Sequence, residues 1–265
     1  REPVLSPEQY GDDRVFVYLR LETGADTEQD RFVAGLSDAG HPTVTLRLAD
    51  VYDLGAEFFR WEFATAVVGS MMRINPFDQP NVQESKDITA SLLASVEDHG
   101  ELTEPEPAGD IGNLTVTSSL RGESPEDVVR QLLASIAPGD YFAISAYCDR
   151  TRQAQETFQR LRHRIASARG VATTLGYGPR FLHSTGQLHK GGANKGVFLQ
   201  ITTPSDKDLK IPGKVATFGV LSRAQALGDY QALVDRGRRV LRLDLRSSLA
   251  EGLPEVERVI IDALG

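Results

Sequence analysis

The sequence predicts an α/β protein with parallel sheets, built as two lobes joined by an acidic linker. Three observations predict it. Short apolar runs alternate with helical patterns in both halves of the chain. A strand–helix–strand unit of about 35 residues near the start supplies the crossover that parallel strands need. Between the halves, Glu97 to Gly112 is rich in Glu, Pro and Gly and nearly devoid of apolar side chains, as a linker is. The expected organisation is residues 1–96, a linker at 97–113, and residues 114–265.

Val15-Phe16-Val17-Tyr18-Leu19 is a short apolar run and reads as a buried strand. Thr27 to Ala39 places Phe32, Val33 and Leu36 at helical spacing, with Gly40 just past its end. Thr43 to Leu48 is the next strand. Leu54 to Met72 reads as a long helix with Leu54, Phe58, Trp61, Thr65, Val68 and Met72 near one face. Phe77-Asp78-Gln79-Pro80 breaks and restarts the chain, and Pro80 suits a first helical position, where its missing N–H costs nothing. Val82 and Lys86 then share a face of a helix ending near Val96.

Beyond the linker, Ser124-Pro125-Glu126-Asp127 is a helix start, with Val128, Val129, Leu132, Leu133 and Ile136 as its apolar face. Tyr141 to Tyr147 is a buried strand, Arg152 to Ala168 an amphipathic helix, and Val171 to Leu175 a strand. Val197 to Ile201 and Val240 to Leu243 are later strands, with helical patterns after Leu221 and Pro254.

The chain has 265 residues, 40% hydrophobic and 25% charged, enough to bury a core in one large lobe or two modest ones. Its net charge of −8 argues against nucleic acid, which needs a basic stripe. An anionic small substrate stays open, because a few local cations suffice. The one cysteine, Cys148, lies in an apolar run and reads as core packing; a single thiol forms no internal disulfide, so a reducing cytoplasm is expected. No apolar run of about 18 residues is present, so no membrane span is expected. The first residues lack an initiator methionine and an apolar signal region, and read as a cut or processed end. One cysteine and five scattered histidines give no metal-ligand spacing, and no Gly-x-Ser-x-Gly string marks a serine hydrolase.

Two stretches carry candidate chemistry. Ile74 to Lys86, with the string Asn75-Pro76-Phe77-Asp78-Gln79-Pro80, is a rigid turn opening a helix with Lys86 in its second turn. On spacing alone Lys86 reads as a solvated helix lysine. Phe181 to Gly192 is a Gly- and His-rich loop holding His183, Gln187, His189 and Lys190. An unperturbed histidine titrates near pH 6.5 and can trade protons at neutral pH, although a polar loop histidine is the plainer reading of His183. With Arg180, Lys190 and Lys195, the surrounding glycines could wrap a phosphate.

Together these stretches resemble the glucose-6-phosphate isomerase family, and in particular the C-terminal part of the bacterial chain that fuses transaldolase to that isomerase. The resemblance implies lobes of the sugar-isomerase (SIS) type, flavodoxin-like and three-layered. It implies interconversion of glucose 6-phosphate and fructose 6-phosphate in the intact enzyme, without metal or other cofactor. The family's lysine faces the sugar ring oxygen, and maps onto Lys86. The family's loop histidine, followed four residues later by glutamine, maps onto His183 and Gln187. Gln187, Lys190 and Arg180 are expected to contact substrate. In dimeric members the histidine reaches in from the partner subunit, so the resemblance allows a homodimer.

The chain departs from the family in three places. Asn81 stands where many relatives have Gly. The histidine motif follows the lysine motif instead of preceding it, which suggests that the C-terminal lobe is a rearranged or duplicated SIS lobe; Thr217-Phe218-Gly219 supports such a repeat. The Glu-Ser-x-Gly-Lys string that supplies the enediolate base, and the Ser/Thr phosphate loop, are absent. The chain alone is therefore expected to be inactive, with the upstream part of the enzyme as its partner. Glu62, among Phe59, Trp61 and Phe63, is the one substitute base weighed, although a structural role fits it better. The alternative reading is a non-catalytic SIS-like module for sugar-phosphate binding or dimerisation.

Overall fold

The computed structural model describes residues 4–24, 26–180, 184–204 and 208–265. The chain is α/β and divides into two compact units, residues 5–78 and residues 79–265. The expected linker at 97–113 is not this boundary; it lies wholly inside the larger unit.

In the smaller unit a short 3-10 turn at Pro7–Gln9 precedes β1 (Phe16–Leu21), α1 (Thr27–Asp38), β2 (Thr43–Leu48) and α2 (Asp53–Met72). β1 and β2 pair in parallel, with Val17 opposite Val44 and Leu19 opposite Leu46. Asp26 caps α1 by accepting from the backbone of Glu28 and Gln29. Asp30 on α1 ties the helix to one sheet face, accepting from Tyr18 Oη at 3.0 Å and from Arg20 Nε at 2.8 Å. The other face displays Val17, Leu19 and Val44, all exposed.

α2 departs from expectation. Its apolar stripe is not a buried face: Phe58, Trp61, Val68 and Met72 are exposed, and only Glu57 and Gly69 are buried. α2 ends at Arg73 in the left-handed conformation (φ 56°), and Pro76 folds back against Gly69, where a Cβ would stand 2.6 Å from the proline ring.

The larger unit runs α3 (Pro80–His99), β3 (Gly109–Ile111), β4 (Leu114–Ser118), α4 (Pro125–Ala134), β5 (Tyr141–Tyr147), α5 (Arg152–Arg169), β6 (Ala172–Tyr177), α6 (Ser184–Gly191), β7 (Gly196–Thr202), α7 (Phe218–Asp235), β8 (Arg239–Leu245) and α8 (Leu249–Leu264). The sheet order is β3-β4-β8-β7-β5-β6. β8, β7, β5 and β6 are mutually parallel, and β4 and β3 add an antiparallel edge. β5 and β7 are buried on both faces, hence their near-continuous apolar sequences. Alternation along the strands splits the core. Phe142, Ile144, Leu199 and Leu243 join Phe158, Leu132 and Ile260 under α4, α5 and α8. Ala143, Phe198 and Val240 meet Tyr230 and Leu233 of α7 on the opposite face.

Residues 97–113 are not a featureless tether. α3 runs to His99, β3 begins at Gly109, and Glu104 between them bonds Arg223 Nη2 at 2.8 Å. α3 packs along α7 and against α6, which draws it into the larger unit. Gly228 makes the α3–α7 approach possible: a Cβ there would stand 2.6 Å from Thr89 Oγ1 and 3.1 Å from the Ser85 carbonyl oxygen.

Gly228→Ala sets two effects against each other. Alanine favours the helix by roughly 1 kcal/mol, while overpacking against backbone costs about 1–3 kcal/mol. The expected outcome is net destabilisation, read as a lower urea midpoint for the 265-residue chain; a raised midpoint contradicts the close packing.

Candidate functional site

The two motifs meet at the start of α3. Pro80 occupies its first turn, and Gln79 at the cap makes no side-chain bond, so the next N–H needs a partner from elsewhere. Gln187 of α6 supplies it: Oε1 accepts from the Asn81 N–H at 2.9 Å, and Nε2 donates to Asn81 Oδ1 at 2.8 Å. Gly191, one turn on, leaves the space, since a Cβ there would come within 2.3 Å of Asn81 Oδ1. Asn81 Nδ2 also donates to Glu84, which pairs with Arg236 Nη2 at 2.9 Å. Burial works to raise the Glu84 carboxyl, but the bonds from Arg236 and Asn81 outweigh it and hold the group below its ordinary value.

Lys86 lies just beyond this anchored turn. The buried stripe of α3 runs through Val82, Ser85 and Thr89, and Lys86 is exposed beside it. Among the described residues it has no ion-pair partner, so its ammonium faces solvent as a free point charge. His183 lies outside the described residues.

From Ser184 to Gly191 the second motif is a helix, α6, where the sequence predicts a loop. Lys190 was expected at the substrate. It is instead 1% exposed, with Nζ 2.9 Å from Asp229 Oδ1. The helical turn points it inward onto α7, where a phosphate in solvent cannot reach it. Burial raises the Asp229 carboxyl, and Lys190 pulls the other way. Arg238 closes this end of α6 by donating to the Lys190 and Gly192 carbonyls at 2.6 and 2.7 Å. Gln187 is engaged with Asn81, so it orients a helix start. Arg180 is exposed, in a groove on another part of the unit.

His189 is buried between Tyr141 and Phe198. Its Nδ1 and the Tyr141 hydroxyl share a 2.9 Å hydrogen bond, and its ring meets Phe198 edge-on at 4.9 Å. Burial, then the Lys190 and Arg238 charges, push its pKa down to about 4, so it is neutral at pH 7. Glu62 is exposed on α2, without the burial that would make it a base.

A second feature went unread in the sequence. β5 is flanked by β6 on one side and β7 on the other, so the winding reverses at its carboxyl end, where α/β proteins place ligands. A cavity of about 790 Å³ opens there, lined by Tyr147, Cys148, Asp149, Thr202, Thr203 and Arg223 among others. Burial and then Asp149 push the Cys148 thiol up to about 12, so it is inert. Beside the cavity, Arg242 is fully buried and donates to Asp244 Oδ1 through Nε at 3.0 Å and Nη2 at 2.5 Å. Asp244 also accepts from Thr202. An arginine and an aspartate two apart in an apolar strand were the available signal.

No protein-family model matches the chain. It is 30% identical over 98 residues to glucose-6-phosphate isomerase from Leptospira biflexa serovar Patoc, a match covering 35% of this chain and 22% of that protein, in two strain versions. The match thus spans about a fifth of the length of those curated relatives. The hypothetical protein TT0462 from Thermus thermophilus, a solved structure, aligns with a TM-score of 0.45 at 15% identity, over 97% of this chain and 57% of that one. The likeness to glucose-6-phosphate isomerase is partial and distant. Among the described residues no helix is long and apolar enough to cross a membrane.

His189 predicts an acid limb of stability. Its folded pKa lies below its unfolded value of 6.5, so the unfolded state binds the extra proton. Stability is full above about pH 6.5 and is lost as pH falls toward 4, by up to about 3 kcal/mol. Urea midpoints from pH 7 to pH 4.5 should fall more steeply in the wild type than in His189→Gln. Parallel curves contradict the assignment.

Proposed function

We propose that this chain is part of a glucose-6-phosphate isomerase, of the type fused to transaldolase, and that it contributes the ring-opening side of the active site. The observation that carries the reading is the reciprocal amide pair between Asn81 and Gln187. It couples the two motifs whose resemblance to that family is strongest, and it fixes the helix that presents Lys86. The partial identity to the Leptospira enzyme agrees with it.

In this reading the free Lys86 ammonium stabilises the charge that develops on the sugar ring oxygen as the ring opens. His183 moves the accompanying proton, being of the residue type that titrates near neutrality. Lys190 has no part at the substrate; its charge is used inside the fold. The proton moved between C1 and C2 needs a carboxylate placed over those carbons. Glu62 does not supply it, and the chain has no Glu-Ser-x-Gly-Lys string. The base therefore comes from sequence beyond these 265 residues. The exposed apolar side chains Val17, Leu19, Val44, Phe58 and Trp61 support the same reading, since such surface marks a face that another part of a protein covers.

The test is a coupled assay of fructose 6-phosphate to glucose 6-phosphate on this chain and on a longer version carrying the glutamate string. The short chain should show no turnover and the long one should be active. In the long version Lys86→Ala should lower kcat by roughly 10²–10³-fold. Gln187→Ala should lower kcat less and also destabilise the fold, by about 1–3 kcal/mol for the unsatisfied Asn81 group. An inactive long version, or an unaffected Lys86→Ala, removes the proposal.

A further inference from the structure

On the face of the larger unit away from α3 and α7, a groove of about 380 Å³ lies between α5 and the end of β6. Its lining is Arg150, Gln155, Gln159, Arg162, Leu175, Tyr177 and Arg180. Of these seven described residues three are arginines and none is acidic. In a chain of net charge −8, the exposed guanidinium groups of Arg150 and Arg180 in one groove, with no carboxylate among its described lining, are a local reversal of sign.

The polar geometry sharpens this. Gln155, Gln159 and Arg162 stand on one side of α5 at i, i+4 and i+7. Gln155 Oε1 accepts from the Tyr177 hydroxyl at 3.3 Å, and Gln159 Oε1 accepts from Arg162 Nη1 at 3.1 Å. Both amide oxygens are thereby used within the protein, and the amide N–H₂ groups remain as donors. Arg150 is held in place by the Tyr177 ring, with its guanidinium carbon 5.6 Å from the ring centroid. Arg150 and Arg180 are exposed and have no ion-pair partner among the described residues. The described side chains of the groove offer donors and positive charge, and each amide oxygen already accepts a bond from within the protein.

We infer that this groove is a binding site for a phosphomonoester dianion, held by the guanidinium groups of Arg150 and Arg180 with the amides of Gln155 and Gln159. A phosphate carries several acceptor oxygens and no donor in its dianionic form, and arginine forks match it bidentately. The groove volume admits a phosphate and a small organic group. The inference goes beyond the isomerase reading and stands without it, because none of the groove's described lining residues belongs to α3.

Isothermal titration calorimetry on the full 265-residue chain tests it, with inorganic phosphate and then fructose 6-phosphate as probes and acetate as the monoanion control. Saturable binding of one phosphate is expected, weakened by added salt because the arginines are exposed. Arg150→Gln/Arg180→Gln should weaken both phosphate probes about tenfold or more with an unchanged melting temperature; Arg162 is left in place because it is buried. Lys86→Ala should bind inorganic phosphate as the wild type does, so failure of the isomerase assay leaves this result intact. The inference is overturned if wild type shows no saturable phosphate binding, if acetate binds equally well, or if the double variant retains wild-type affinity for either phosphate probe.

Discussion

The close approach of α3 to α7 and α6 is the constraint on which the larger unit depends. Two glycines permit it. Gly228 lets the backbone of Ser85 and the hydroxyl of Thr89 lie against α7, and Gly191 lets Asn81 reach α6. The Asn81–Gln187 amide pair then closes the contact with two hydrogen bonds. These bonds meet a requirement that α3 creates for itself: Pro80 and an uncapped Gln79 leave the Asn81 N–H without a local acceptor. A helix that satisfies its own start would not need α6. Because this one does not, its first turn is tied to a residue 106 positions away, and Lys86 is displayed from a fixed point.

The two faces of the six-stranded sheet are stabilised differently. Under α4, α5 and α8 the core is a large apolar cluster, with Arg162 of α5 bonding Thr173 of β6 and Arg160 pairing with Glu257 of α8 at its margins. Toward α7 the apolar cluster is small, and buried charge fills the remaining space: Lys190 with Asp229, and Arg242 with Asp244. Such pairs add little net stability over apolar residues of the same size, yet losing one partner costs about 3–5 kcal/mol. Their consequence is positional. Lys190 on α6 meets only Asp229 on α7 at ion-pair distance among the described residues, which fixes the register of the helix carrying Gln187. The charged pairs and the amide pair therefore act on the same two helices.

Much of this fold was legible in the sequence. The strands β1, β2, β5, β7 and β8 announce themselves as short apolar runs, and α4 by Ser124 and Pro125 at its start. The elements that were missed share a cause: their sequence signal is local, while their structure is set by distant partners. Glu97 to Gly112 reads as a tether because it is polar, but Glu104 is held by Arg223, whose charge is 119 residues away. Phe181 to Gly192 reads as a loop because glycine and histidine recur in it, yet its helix, Ser184–Gly191, is tied to Asn81 and Arg238. Lys190 reads as a surface cation because lysine usually is one; only the position of Asp229 on α7 makes it a core residue. For α2 the reverse holds. Its apolar pattern is plain in the sequence, and the side chains are exposed because no described element of its own unit covers them.

The separation of charge across the larger unit limits what one ligand can do. Lys86 sits on α3, which packs on α6 and α7, whereas Arg150 and Arg180 belong to the edge beside α5. α3 is joined to the sheet through α6 and α7, whereas the described lining of the groove comes from α5, β6 and the segments beside them. Hydrogen bonds to a reacting sugar act over about 3 Å, so Lys86 and the two arginines share a ligand only if its acceptor atoms reach both elements. In the reading proposed above, an anion in the arginine groove is a second molecule, bound apart from the sugar at Lys86.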